Sequence, residues 1–118
     1  MTPIELHRRR QDHRKQKHRF DKPGQLMLWR IINPPNDGQR FPVNDLLHAV
    51  ELYKALTASD LLDVAISSNV YGLEIYEGGE WNEWESDACD GISELSDSEY
   101  GDELRVQNLI HLEKYPRP

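Results

Sequence analysis

Carboxylates are the residues of this chain whose types and spacing most directly suggest chemistry. Between Glu74 and Glu103 the sequence contains twelve aspartates and glutamates and no lysine or arginine. Such a run can supply catalytic groups or metal ligands, or it can form an acidic surface that attracts a partner of opposite charge. The spacing of these residues separates the three alternatives.

Spacing argues against a metal or catalytic site. The acidic residues around Gly91 are similar to a calcium loop, but Ser86 and Ala88 then occupy positions where carboxylate or amide ligands belong, and Asp97 stands where a bidentate glutamate belongs. The histidines before residue 20 are separated by six and five residues and lie among cations, which does not predict a zinc site. Cys89 and His111 have no orienting partner, and a thiolate is disfavoured among carboxylates. We therefore expect no enzyme, no metal and no cofactor.

The segment 71–86 predicts a β-hairpin. Tyr71, Leu73 and Ile75 alternate with other residues, Gly78-Gly79 suits a two-residue turn, and a second β-prone stretch follows. This turn fixes a register in which one face, including Trp84, packs on the core. The opposite face is expected to be exposed and to carry the candidate partner-binding residues Glu74, Tyr76, Trp81, Glu83 and Glu85.

The register sets Tyr76 opposite Trp81 and Glu74 opposite Glu83. Like charges in opposed positions cost about 0.2–1 kcal/mol, so this face calls for solvent screening or a cation. One interpretation is a docking face for a basic protein, with the two aromatic rings as anchors. A narrower version is an inhibitor of a host nucleic-acid-binding protein, because Glu83 and Glu85, about 6.7 Å apart on a strand, imitate a row of phosphates. The alternatives are a solvated acidic face, or a slipped register that buries Trp81.

The first 22 residues have the opposite charge. They contain eight lysines and arginines against three acidic residues, whereas residues 23–118 contain six against eighteen. The capping sequence Thr2-Pro3-Ile4-Glu5 and the stop at Lys22-Pro23-Gly24 predict a helical arm from about residue 3 to 20, with almost no apolar stripe. Arginine-rich helices bind RNA or DNA phosphates. The candidate nucleic-acid-binding residues are Arg8, Arg9, Arg10, Arg14, Lys15, Lys17 and Arg19. This arm could instead lie on the acidic face of its own chain or of a twin in a homodimer, or be solvated.

The remaining elements predict the fold class. A buried strand is expected at 26–32, helices at about 44–56 and 57–69, and strands at 71–77 and 80–86. Residues 87–101 are expected to form an acidic loop or partly disordered insert, and 102–114 a helix or a strand. Together these predict an α+β domain over residues 23–118. Its small, mostly antiparallel sheet of about three strands is covered on one face by two helices, with the basic N-terminal helix separate.

Composition agrees with one small domain. A chain of 118 residues has room for a single core. The lone cysteine excludes an internal disulfide and suits a reducing compartment, and there is no apolar run long enough to span a membrane. We expect a cytoplasmic protein without a membrane partner.

The hairpin sequence 71–85, preceded by the helical segment 44–69, resembles small acidic proteins of phages and mobile elements that have no assigned activity. The resemblance covers residues 25–92. It implies a small α+β body and a role directed at the host, and it transfers no functional residue. The sequence thus favours a non-enzymatic binding protein that presents an acidic aromatic face to a basic partner. The rival hypothesis is a nucleic-acid-binding regulator acting through its N-terminal helix.

Overall fold

The computed structural model describes residues 20–34 and 37–116, which form an α+β fold. Its strands make one antiparallel sheet in the order β2-β1-β3-β4, so that β1 and β3 are central. The elements are β1 (Leu26–Ile32), β2 (Gln39–Val43), α1 (Leu46–Leu62), β3 (Asn69–Glu77), β4 (Glu80–Glu83), α2 (Ile92–Leu95), a 3₁₀ turn (Ser98–Tyr100) and α3 (Gly101–Lys114). The predicted N-terminal helix lies outside the described residues.

The hydrophobic core lies between the sheet and the helices. It joins alternate residues of the central strands to one face of α1 and to α2, as the predicted apolar spacing requires. The core side chains are Leu26, Leu28, Val43, Leu46, Ala49, Val50, Leu73, Ile75, Trp84, Cys89, Ile92 and Leu95. All of these helices therefore cover the same face of the sheet.

The hairpin register predicted from the Gly-Gly turn is confirmed. Tyr76 is paired with Trp81, and Glu74 is paired with Glu83. Gly78 and Gly79 have φ of +61° and +81°, which are the left-handed values that a tight hairpin turn needs and that glycine adopts without strain. Although β4 ends at Glu83, Trp84 still bonds to β3 and its side chain lies in the core.

The predicted division of residues 44–69 into two helices is wrong, because one helix runs from Leu46 to Leu62. The predicted helix begins at Asn44, but Asp45 is the residue that caps α1, and its carboxylate accepts a 2.8 Å hydrogen bond from the His48 amide. The sequence Thr57-Ala58-Ser59-Asp60 is a capping signal and accounts for the predicted start of a second helix, but no helix begins there. The Thr57 hydroxyl donates to the Tyr53 carbonyl, 2.9 Å away, inside one continuous helix. The second predicted helix is thus partly the end of α1, while Asn69 already begins β3.

Strand β2 is an element that the sequence did not predict. Its five residues follow a Pro-rich and Gly-containing sequence and include Pro42, which lowers the expectation of a strand. Proline is acceptable here because β2 is at the edge of the sheet and pairs with β1 alone. The sheet consequently has four strands rather than about three.

The acidic segment after the hairpin differs from the expected loop. Cys89, Ile92 and Leu95 are almost completely buried, and the last two belong to α2. These three side chains anchor the segment in the core, and Tyr100 packs against the core at its end, while most of the acidic residues between them are exposed. Their burial explains how so acidic a segment can be ordered.

Helix α3 resolves the choice between helix and strand for the C-terminal segment, but the apolar residues that lie at helical spacing in this segment do not face the core. Val106, Leu109 and Ile110 are exposed, while Asn108 and His111 are buried. The Asn108 side-chain oxygen accepts a 2.9 Å hydrogen bond from the Leu46 amide at the start of α1. A polar residue is buried here because the first amides of a helix need acceptors.

Candidate functional site

The candidate site is the sheet face opposite the helices, which we call the outer face. On the central strands, Met27 lies beside Glu74, and Trp29 lies beside Gly72. The alternation of side chains along each strand, together with the pairing of the edge strands β2 and β4, identifies the other residues of this face. Its residues are Met27, Trp29, Ile31, Arg40, Pro42, Val70, Glu74, Tyr76, Trp81 and Glu83.

The backbone of β3 makes room for an aromatic ring on this face. A Cβ atom added at Gly72 would lie 2.2 Å from the Trp29 ring, well inside van der Waals contact. Glycine at this position lets the indole of Trp29 rest directly on the neighbouring strand. The ring covers the backbone there and is itself only partly exposed.

Arg40 crosses the centre of the outer face. It starts on β2, yet its Nη1 lies 2.7 Å from Glu74 Oε1 on β3, so its side chain passes over β1. Its guanidinium carbon is 5.5 Å from the centroid of the Trp81 ring, within cation–π distance. The side chains of Arg40 and Glu74 are only 17% and 19% exposed. Glu74 and Trp81 thus form an arginine slot, a carboxylate and an aromatic ring around one guanidinium.

Arg40 supplies a cation beside the opposed pair Glu74 and Glu83, through its ion pair with Glu74. The sequence predicted that this face needs either solvent screening or a cation, but it did not identify Arg40, which belongs to the unpredicted strand β2. The guanidinium is incompletely satisfied: its Nε and Nη2 atoms are buried without a hydrogen-bond partner. The slot therefore holds arginine through charge and ring contact rather than through a full set of hydrogen bonds.

The predicted aromatic pair is present, but its rings are only partly exposed. Tyr76 and Trp81 have ring centroids 5.4 Å apart at an interplanar angle of 57°. The Trp81 indole Nε1 donates a 2.8 Å hydrogen bond to Asp21 Oδ1. This bond joins the chain that enters β1 to the hairpin, which holds Trp81 in place at the rim of the arginine slot.

The five predicted partner-binding residues are not all brought together. Glu74, Tyr76, Trp81 and Glu83 share the outer face, and Glu83 is exposed. Glu85 follows the end of β4 and lines a cleft of about 160 Å³ between the hairpin and α3. Strand alternation no longer fixes the direction of a side chain once the ladder ends. The arginines and lysines of the alternative site, residues 8–19, lie outside the described part of the chain.

Most of the acidic run has no counter-charge within the described residues. Its ion pairs there are Glu74 with Arg40, Glu77 with Lys114 and the exposed, 3.7 Å contact between Asp102 and Arg105. The carboxylates without an ion pair in this part of the chain are Glu80, Glu83, Glu85, Asp87, Asp90, Glu94, Asp97, Glu99 and Glu103. Because most of them are exposed, β4 and the segment that follows it carry a strongly negative surface.

A buried charge cluster on the inner face was not predicted. Asp60 accepts hydrogen bonds from Arg30 Nη1 at 2.8 Å, from Asn69 Nδ2 at 2.8 Å and from the Tyr71 hydroxyl. Burial raises the pKa of Asp60, but these donors and the Arg30 charge outweigh it and hold that pKa below its ordinary value. Burial and the bond to Asp60 raise the pKa of Tyr71 to about 12. The cluster joins the end of α1 to the sheet.

Cys89 does not have the environment of a nucleophile. Burial raises the pKa of its thiol, and the charges of Glu103, Glu94 and Asp90 raise it further. In the described part of the chain, no three His, Cys, Asp or Glu side chains are grouped so that they could hold a metal ion. Among the helices described, none is both long enough and apolar enough to cross a membrane.

A second contact closes the C-terminal end against the hairpin. Glu77 Oε2 accepts hydrogen bonds from the Tyr115 hydroxyl at 2.6 Å and from Lys114 Nζ at 3.0 Å. The bond from Tyr115 contributes most to lowering the pKa of Glu77, and the bond from Lys114 lowers it further. The Tyr115 ring also lies where a side chain at Gly24 would be. This clasp positions the start of β1, and with it Asp21, beside the outer face.

Comparison of the chain with protein-family models, with curated proteins and with solved structures gives no match.

Proposed function

We propose that this protein is a non-enzymatic binding protein whose outer face engages an arginine-rich surface of a partner protein. The observation that carries the proposal is the arginine slot. Arg40 shows within the chain how this face accommodates a guanidinium, with Glu74 on one side and the Trp81 ring on the other. Arginine suits such a site better than lysine, because its planar, weakly hydrated cation binds carboxylates and stacks on aromatic rings.

The exposed carboxylates extend this recognition beyond the slot. Glu83 lies next to Glu74 across the ladder and has no ion pair among the described residues, so it offers the adjacent position for a second cation. The negative surface that continues from β4 would accelerate encounter with a basic partner. Aromatic rings then supply the apolar contact that most interface hot spots contain.

The class of partner follows from charge. Surfaces rich in arginine are typical of proteins that bind nucleic-acid phosphates. The exposed Glu83 and the negative surface that continues from β4 would compete with those phosphates for the arginines, although Glu85 does not share the outer face with Glu83 and does not extend it into a row. We therefore propose a nucleic-acid-binding protein as the partner.

A defined basic peptide tests the proposal on the full-length chain. Binding of a fluorescent twelve-residue arginine peptide is measured by anisotropy for the wild type, Glu83→Lys and Glu99→Lys. The two variants change the net charge equally, but Glu99 lies in the 3₁₀ turn, away from the outer face. We expect Glu83→Lys to weaken binding about tenfold and Glu99→Lys to weaken it less than threefold. The difference is expected because binding depends on charges close to the bound peptide, while distant charges are screened by salt. Equal losses, or no binding by the wild type, would contradict the proposal.

A further inference from the structure

The outer face has the composition of a covered surface. A sheet with one face in water usually alternates apolar and polar residues, yet β1 places Met27, Trp29 and Ile31 on the outer face and leucines on the inner one. Met27 is 1% exposed although it does not belong to the core cluster. At the far end Val70, which pairs with Ile31, is 46% exposed. The described helices all lie on the inner face, and they leave Val70 exposed.

The chain enters the fold at this same face. Asp21 is bonded to Trp81, and the described part of the chain begins at Phe20, one residue before this contact. The four strands of the sheet span about 14 Å at 4.8 Å per interval. Nineteen residues extend about 28 Å as a helix, which is enough to cross the whole sheet.

Charge and side-chain type are complementary. Residues 1–19 contain seven lysines and arginines against two acidic residues. The outer face offers them Glu83, the ring of Trp29 and the ring of Tyr76, which are the same kinds of groups that bind Arg40. Long basic side chains can cover aromatic surface with their apolar stems while the cations meet carboxylates.

We infer that residues 1–19 dock on the outer face of their own chain and compete there with the basic partner. The inference rests on the proposed function and adds its regulation: the arm is an intramolecular inhibitor that a partner of higher affinity displaces. A tethered segment acts at an effective concentration in the millimolar range. If the arm alone binds the face at about 0.1 mM, it lowers the apparent affinity for a competing peptide about tenfold.

Docking is tested first without any partner. A nitroxide is attached to Gln11→Cys in the full-length chain; native Cys89 is fully buried, and wild-type protein treated in the same way reports any reaction there. We expect broadening of the amide resonances of Glu74, Tyr76 and Glu83, with those of Leu61 unaffected. A mixture of labelled, ¹⁴N protein with unlabelled, ¹⁵N protein separates the two chains. Absent or uniform broadening, or broadening that persists in the mixture because a second copy is bound, would overturn the inference.

Competition is tested next with a full-length variant in which five arginines of the arm are neutralised. The substitutions are Arg8→Gln, Arg9→Gln, Arg10→Gln, Arg14→Gln and Arg19→Gln. We expect this variant to bind the arginine peptide about tenfold more tightly than the wild type, and to lose that gain when Glu83→Lys is added. Unchanged affinity would overturn the inference and leave the proposed function standing. If neither protein binds the peptide, the proposed function fails, while the nitroxide experiment still decides whether the arm docks.

Discussion

Replacing Asp60 by alanine should be among the most destabilising single changes in the described fold. Its carboxylate, 4% exposed, accepts hydrogen bonds from Arg30, Asn69 and Tyr71. Without it the Arg30 guanidinium, 12% exposed, keeps its bonds to Gln39 but loses its counter-ion in a largely buried site. Removing one member of a buried ion pair costs about 3–5 kcal/mol. That is a large part of the total stability of about 5–15 kcal/mol expected for a domain.

Urea denaturation at pH 7, followed by tryptophan fluorescence, measures this loss as a lower midpoint at unchanged slope. Glu51→Ala, an exposed carboxylate on the same helix, is the control and should change the free energy of unfolding by less than about 0.5 kcal/mol. The double variant Arg30→Met with Asp60→Leu removes both charges and should be at least about 1 kcal/mol more stable than Asp60→Ala. A cost below about 1 kcal/mol for Asp60→Ala, or a double variant no more stable than Asp60→Ala, would refute the assigned role of the pair.

Three further changes test the architecture around the site. Gly72→Ala should lower the free energy of unfolding by about 1–3 kcal/mol and shift the tryptophan emission, because the added Cβ would displace the Trp29 ring. Unchanged emission and stability would contradict this contact. Gly101→Ala should raise the free energy of unfolding by about 0.4–1 kcal/mol, because Gly101 has helical dihedral angles and an added Cβ would meet open space. A loss of stability would contradict this interpretation. Glu77→Gln should cost up to about 1 kcal/mol at pH 7, because the Tyr115 bond and its neighbours lower the Glu77 pKa from 4.5. Because the pKa of Glu77 is lowered, the ionised carboxylate stabilises the fold above about pH 4.5. The difference in free energy of unfolding between wild type and Glu77→Gln, measured by urea titration, should therefore shrink as the pH falls below that value. A difference that grows on acidification would exclude the clasp.

The hairpin could be predicted because its determinants are local. A glycine pair sets the turn, and the period of two along each strand then assigns every side chain to a face. Opposition of Tyr76 to Trp81 and of Glu74 to Glu83 follows from these rules alone, and the structure has both pairs. The burial of Trp84 follows in the same way.

The interactions that complete the site are between residues far apart in the chain. Arg40 and Glu74 are separated by 34 positions, and Asp60 meets Arg30 over 30 positions. The spacing of residues within one segment of the sequence gives no information on contacts between segments so far apart. The capping signal at Thr57 illustrates the same limit, because it is locally plausible but is overridden when α1 packs along the sheet as one helix.

The sequence by itself determined the α+β class, the hairpin register and the separation of positive from negative charge, because composition and short-range periodicity encode them. Tertiary structure alone decided that β2 brings Arg40 across the sheet between Glu74 and Trp81. It also decided that α3 buries Asn108 to cap α1 and exposes Val106. These outcomes depend on which elements become neighbours, and that depends on the free energy of packing the whole chain rather than on any one segment.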